Sequence, residues 1–320
     1  MKRAYRSLTC IVLALMLVRF GAHAQSSTPG DAALNFTDFA DMPERVIYSS
    51  YANDGQYLYS LNGMLYNKRI SPKALRFDPA TKKWRQITDK LVPKINAASV
   101  YVPSVHKIYI MGGMKVFSNG LFFNVETLDT QTGEVSILKT ENPNPQINCA
   151  LAVWDNKIYL FGGSDNGYGS SRLYEFDVAT EKFKRLKDMP FTAQTAGTVI
   201  NGVLYTFGGY NPYNKFIFDE VYAYDIKTDT WKRAGKLPNR VSATGIASTG
   251  KNVYVIGSYG DPDFIGYYNT DSGRFIKLKS NMAGRRFASS GIIGHKLWVY
   301  GGSSSVIDPG VIKVQAADIQ

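Results

Sequence analysis

A phrase made of an apolar run and two glycines returns along the chain at a nearly fixed interval: KIYIMGG (107–113), KIYLFGG (157–163), VLYTFGG (203–209), NVYVIGS (252–258) and KLWVYGG (296–302). Measured between the first glycines, Gly112, Gly162, Gly208, Gly257 and Gly301, the intervals are 50, 46, 49 and 44 residues. One period upstream, YLYSLNGM (57–64) matches KIYIMGGM with Asn62 in place of the first glycine, which makes six copies. A repeat of this length is one supersecondary unit that buries its faces against its neighbours.

A second element trails five of the copies: FDPATKKW (77–84), LDTQTGEV (128–135), FDVATEKF (176–183), YDIKTDTW (224–231) and YNTDSGRF (268–275). Its Asp or Asn and its Thr or Ser can hydrogen-bond nearby amides, so it reads as a hairpin bend between two strands. Two more strand-like stretches complete each copy, for example FKRLKDMP (183–190) and TAGTVING (195–202), and helical periodicity is nearly absent. In KIYLFGG both alternating faces are apolar, Ile158 and Leu160 on one and Tyr159 and Phe161 on the other, the pattern of a strand buried on both sides. Four-stranded sheets stacked face to face around an axis satisfy that pattern, so the expected fold is all-β, a ring of six antiparallel blades. The doublet should end each second strand, where missing side chains permit positive φ and a close neighbour. Trp84, Phe183, Trp231 and Phe275, which open the fourth strands, are the expected neighbours; Val135 departs from that pattern, and Ser258 and Asn62 depart from the doublet.

The doubled glycine after an apolar strand, the Tyr or Trp before it and the Asp turn leading to Trp or Phe together resemble the kelch repeat, over residues 35–320. That resemblance implies a six-bladed β-propeller. After the last doublet, VIKVQAADI (311–319) supplies a third strand but no fourth. FTDFADMP (36–43) aligns with FKRLKDMP, with Phe36 seven residues before Pro43 as Phe183 is before Pro190 and Trp231 before Pro238. The N-terminal segment is therefore expected to complete the last blade and close the seam.

Lys2, Arg3 and Arg6, the apolar stretch Leu8–Val18, and small residues at Ala22 and Ala24 read as a secretory signal peptide over 1–24, cut between Ala24 and Gln25. A flexible polar lead-in (25–34) and the propeller (35–320) follow, and the mature chain is expected in the periplasm or the external medium. No later segment approaches the roughly 20 apolar residues that cross a bilayer, so no membrane insertion is expected after cleavage. Cys10 leaves with the leader and Cys149 remains alone, so no intramolecular disulfide is expected. Cys149 reads as a small buried hydrophobe, with a reactive thiol as the alternative. The mature chain keeps 33 basic against 26 acidic residues, a formal +7 that favours acidic partners without naming one. Its basic residues are spread through turns instead of gathered on one stripe, which argues against nucleic acid.

The post-doublet loops and the inter-blade links should emerge on one face. The loops carry Tyr66, Lys68, Arg69, Asp165, Asn166, Tyr168, Tyr210, Asn211, Tyr213 and Asp261. Aromatic planes among amides and carboxylates suit sugar or peptide recognition; polarity for solubility is the other reading. The links supply Arg45, Asn96, Asn148, Gln194, Arg240 and Arg286 at roughly equivalent positions. These would ring one mouth of the channel, with the arginines holding a carboxylate or phosphate, or else would only stiffen blade junctions. His106 and His295 fall near turns on the opposite face, so no metal site is expected, and no cofactor. Kelch-like galactose oxidases use copper, but neither the histidine placement nor the blade count fits. The carboxylates of DPDF (261–264) are too few for calcium. The expected function is an exported binding module for a glycan or protein partner. Similarity of architecture to N-acetylneuraminate epimerases implies an alternative, a metal-independent epimerase or mutarotase of sialic acid or a related acidic sugar. Glu220 or Glu44 would then be its acid/base group, and Arg45, Arg240 or Arg286 its carboxylate clamp.

Overall fold

In the computed structural model, which describes residues 33–116, 120–305 and 310–319, each repeat folds into one four-stranded antiparallel sheet. The six sheets begin with the strands Ser50–Asn53, Ile95–Val102, Ala150–Trp154, Gln194–Ile200, Gly245–Thr249 and Ser289–Ile293, and these first strands surround the channel. The region expected to be a leader, 1–24, lies outside the described residues. Among the described residues no helix is long and apolar enough to cross a membrane.

The second strands make the core. In blade three (Lys157–Phe161), Ile158, Tyr159, Leu160 and Phe161 are all buried. Ile158 joins a cluster with Tyr109, Met111 and Val125 of blade two, while Tyr159 and Phe161 join one with Leu204 and Tyr224 of blade four. Burial on both faces is what the unbroken apolar run foretold.

The bends between third and fourth strands also follow from sequence. Asp129 Oδ1 accepts the amides of Gln131 (2.9 Å) and Thr132 (2.8 Å), and Asp177 Oδ1 those of Ala179 (3.1 Å) and Thr180 (2.8 Å). Asp78 does the same, and Asp225 and Asn269 each take the amide three residues ahead. The backbone donors hold the Asp129, Asp177 and Asp225 carboxyls below their ordinary value.

The glycine doublets have different neighbours from those expected. A Cβ on Gly162 would lie 2.8 Å from the Ala193 carbonyl oxygen, and one on Gly208 would lie 2.5 Å from that of Val241. Both carbonyls belong to the link entering the next blade, and they accept the amides of Gly163 (3.0 Å) and Gly209 (2.8 Å). The doublet is thus where one blade's backbone docks on the next. Trp84, Phe183, Trp231 and Phe275 sit elsewhere, against Phe77, Phe176, Tyr224 and Phe264 respectively. Fourth strands lie two strand spacings, roughly 9–10 Å, from second strands, and the third strand's aromatic side chains fill the gap.

Ring closure follows the expected route. Thr37–Asp41 pairs antiparallel with Lys313–Asp318 as the fourth strand of blade six. Phe36 is buried, and Asn281 accepts its amide (2.6 Å) and donates to its carbonyl (3.0 Å). Ala33–Leu34 pairs with Lys279–Ser280, so the end of the lead-in expected over 25–34 is docked, not free. Behind this strap lies Arg285, fully buried, whose guanidinium donates to the carbonyls of Ala283, Gly301 and Lys313 and to Gln315 Oε1 at 2.7–3.2 Å. Gln315 Nε2 in turn donates to Asp38 Oδ1 of the strap (2.9 Å). Burial pulls the Arg285 pKa down to about 10, so the side chain stays charged at neutral pH.

Candidate binding site at the loop end of the channel

Links and post-glycine loops do share one end of the ring. Val46–Ile47 pairs with Met64–Leu65, and single bridges join Ile147 to Ser164 and Arg286 to Ser303. His106 and His295 lie at the other end, in the turns between first and second strands of blades two and six.

Register defines the ring of equivalent link residues. The residue opposite the one preceding each doublet is always small: Ser50, Ala98, Ala150, Ala196, Gly245 and Ser289. Two positions upstream stand Tyr48, Asn96, Asn148, Gln194, Ala243 and Phe287. All but Gln194 adopt left-handed backbone, with φ from 50° to 59°. Bulky residues such as Tyr48 and Phe287 reach that region only at a cost of roughly 1–3 kcal/mol, so the surroundings must hold them there. Hydrogen bonds from blade to blade do so: Asn96 N–H donates to Tyr48 O (2.9 Å), Asn148 N–H to Asn96 O (3.0 Å) and Phe287 N–H to Ala243 O (2.7 Å).

Inside this ring is a cavity of about 590 Å³, a size that suits a small ligand or a short peptide segment. Its wall presents tyrosines, Ser, Thr, Asn and Gln among apolar residues, and no Asp, Glu, Lys, Arg or His among the described residues. Asn148 Nδ2 donates to Gln194 Oε1 (3.2 Å), and Gln194 Nε2 to Ser164 Oγ (2.6 Å). The Ser290 hydroxyl on the wall is buried with no hydrogen-bond partner among the described residues. Cys149 also lines the cavity, but burial pushes its thiol up to about 12, so it stays protonated and packs as a hydrophobe.

Of the six link residues expected at the mouth, Asn96, Asn148 and Gln194 line the cavity, as does Tyr210 from the loops. The arginines do not. Arg45 and Arg240 lie three residues upstream of the ring position and Arg286 one, so their side chains leave the link at other angles. Arg45 donates to Gly310 O (3.2 Å), Arg240 lies over the Phe216 ring (4.6 Å), and Arg286 lies over the Tyr259 ring (4.4 Å). On the rim, Tyr168 and Tyr213 are 62% and 71% exposed and stack on each other, their centroids 5.3 Å apart. Tyr66 is exposed on the blade-one loop, whereas Asn211 is tied down by Thr192 Oγ1 and the Tyr213 amide. The acid/base candidates stand apart from the cavity: Glu44 pairs with Lys73, and Glu220 lies 3.8 Å from Arg233. Among the described residues no group of three or more His, Cys, Asp or Glu is placed to hold a metal. Tyr48, Tyr51, Tyr259 and Phe287 were missed because a search for polar link residues passes over aromatic ones. Counting two positions back from the small residue opposite each doublet would have found Tyr48 and Phe287.

A family model described as the KLHDC2/KLHL20/DRC7 Kelch-repeats domain matches residues 49–258, from blade one into blade five. The chain belongs to the kelch-repeat family. Among curated relatives, Kelch-like protein 23 of Pongo abelii is 27% identical to this kelch chain over 196 residues, 60% of the chain and 33% of that protein. The N-(sulfonatooxy)prop-2-enimidothioate sulfolyase of Thlaspi arvense is 30% identical over 194 residues, 52% of this chain and 54% of its own length. Kelch domain-containing protein 10 of Bos taurus is 22% identical over 228 residues, 65% and 52% of the two chains. The kelch chain thus spans a third to about half the length of these relatives.

Proposed function

We propose that this kelch propeller is a binding module that takes a partner protein on its loop face, with an uncharged segment of that partner entering the central cavity. The observation that carries the reading is the cavity wall, which offers hydroxyls, amides and aromatic rings but no charged side chain among the described residues. Such a wall can hydrogen-bond a neutral ligand without the desolvation cost of burying an unpaired charge. The exposed Tyr168 and Tyr213 rings add the kind of rigid aromatic surface that anchors interfaces. Ser290→Trp would fill the cavity from its wall, and Tyr168→Ala with Tyr213→Ala would strip the rim. Both variants should lose a partner that the unmodified protein retains, the rim variant at unchanged thermal stability and the Ser290 variant while still folded. A partner held equally by all three proteins overturns the reading.

A neutral glycan is the second reading, favoured by the same hydroxyl and amide wall, and a glycan array screens it. The epimerase alternative gains no support from the cavity, where neither Glu44, Glu220 nor the arginines stand. Anomerically pure sialic acid followed by NMR would revive it only if exchange outran that in buffer. We also propose export, on the basic and apolar pattern of residues 1–24. Mature protein should begin at Gln25, and a retained Met1 excludes cleavage.

A further inference from the structure

Arg286 presents an unusual arrangement for a half-buried cation. Its backbone is fixed by reciprocal hydrogen bonds, Arg286 N–H to Ser303 O (2.7 Å) and Ser303 N–H to Arg286 O (3.0 Å). Its guanidinium lies over the Tyr259 ring at 4.4 Å, and Tyr259 is itself anchored by donation from its amide to Ser242 O (2.9 Å). Tyr48 and Tyr259 both pack edge-on against Phe287, with centroids 6.2 and 6.5 Å from it. The side chain is therefore held in place by packing. Yet Nε and Nη1 are shielded from solvent and have no hydrogen-bond partner among the described residues. Its sequence neighbour Arg285 satisfies its donors with four acceptors, so the link can provide partners where the fold needs them.

Beside Arg286 opens a side pocket of about 50 Å³, lined by Ile47, Tyr48, Tyr259, Phe287 and the serines Ser303 and Ser305, with no acidic side chain among the described residues that line it. Tyr48, Tyr259 and Phe287 also line the central cavity, so the two spaces adjoin. The volume has room for a few waters or one small oxyanion, not for a whole ligand. One unpaired guanidinium neutralises one negative charge; a dianion would leave an uncompensated charge buried beside Ile47 and Phe287.

We propose that the Arg286 pocket is a monocarboxylate subsite, which receives the single acidic group of a ligand whose uncharged body lies in the central cavity. The proposal deepens the binding-module reading and rests on it for the body of the ligand. Arg286 supplies charge-assisted donors, the Ser303 and Ser305 hydroxyls complete the oxyanion's coordination, and Tyr259 keeps the guanidinium flat and aimed.

The test uses acetate as probe, with acetamide and chloride as controls, on the full chain at constant ionic strength. Acetate should raise the melting temperature in a saturable way and quench tyrosine fluorescence, and acetamide should do neither. Arg286→Gln should abolish the acetate response, Arg286→Lys should keep part of it, and Arg45→Ala should leave it intact. A crystal grown with acetate should show the carboxylate within hydrogen-bond distance of Nε or Nη1. Equal responses to acetate and chloride, or an acetate response that survives Arg286→Gln, overturn the proposal and assign the donors to water. Failure here is separable from failure of the binding-module reading: a partner lost on Ser290→Trp but kept at full affinity by Arg286→Gln leaves the module standing without the subsite. Phosphate stabilising more than acetate would sink the monocarboxylate choice.

Discussion

At the turn end of the ring, Asp129 and Asp177 fold back on amides two and three residues ahead, and Asp229 also accepts the Lys187 amide of the neighbouring blade. At the loop end, donors and acceptors meet across blades, and the meeting is incomplete: Ser290 Oγ and two nitrogens of Arg286 are left over. Bonding that closes within a bend leaves the carboxylates of that end already occupied. Groups left over where two blades meet are open to partners from outside, which is the ground for the recognition surface proposed at that end.

The sharpest way to break this comparison lies in adjacent residues. Arg285→Ala, which removes four hydrogen bonds beneath the closing strap, should cost on the order of 3 kcal/mol in denaturant unfolding. Arg286→Ala should stay within about 0.5 kcal/mol. Comparable losses for the two would erase the distinction between a structural latch and a ligand group.

Glycines supply the next contrast. Gly162→Ala should destabilise by roughly 2–3 kcal/mol, because φ is 63° and the new Cβ would press on the Ala193 carbonyl, itself backbone and unable to yield. Gly167 has φ 82° but nothing within 4 Å, so Gly167→Ala should cost only about 1–2 kcal/mol, the left-handed penalty alone. Equal midpoints for the two would mean that blade docking does not depend on the doublet.

Acid should act through the turn end first. The bend carboxyls titrate below their ordinary value when folded, so their stabilisation is complete above the unfolded value of about 3.9 and fades as pH falls below it. Melting curves between pH 6 and pH 3 should show a shallower loss for Asp129→Asn than for the unmodified chain. A parallel decline would place the acid-sensitive groups elsewhere.

The smallest effect on stability is expected at the rim. Tyr168→Ala should shift unfolding by no more than about 0.5 kcal/mol while weakening partner binding about tenfold, a split that titration and melting together can read.

Much of this was legible in the chain. The doublets fixed the blade count, the Asp bends fixed the third hairpin turn, and the distance from Phe36 to Pro43 placed the closing strand. The site was half legible. Asn96, Asn148 and Gln194 stand where repeat alignment put them, but Arg45, Arg240 and Arg286 were aligned on chemistry instead of register. An offset of one or three residues, beside a left-handed kink, sends a side chain to the rim or into the link instead of the channel.

By itself, then, the sequence determined the wheel, because five blades are specified by contacts within about 50 residues, the sixth by the match of FTDFADMP to the other fourth strands, and all by hydrophobic patterning that recurs six times. Only the tertiary structure decided that the described cavity wall is uncharged, that Arg285 is sealed behind the strap and that Arg286 faces a pocket with two nitrogens unpartnered among the described residues. Those outcomes depend on how the link entering one blade meets the glycines of the blade before it, a through-space relation that no periodicity along the chain records.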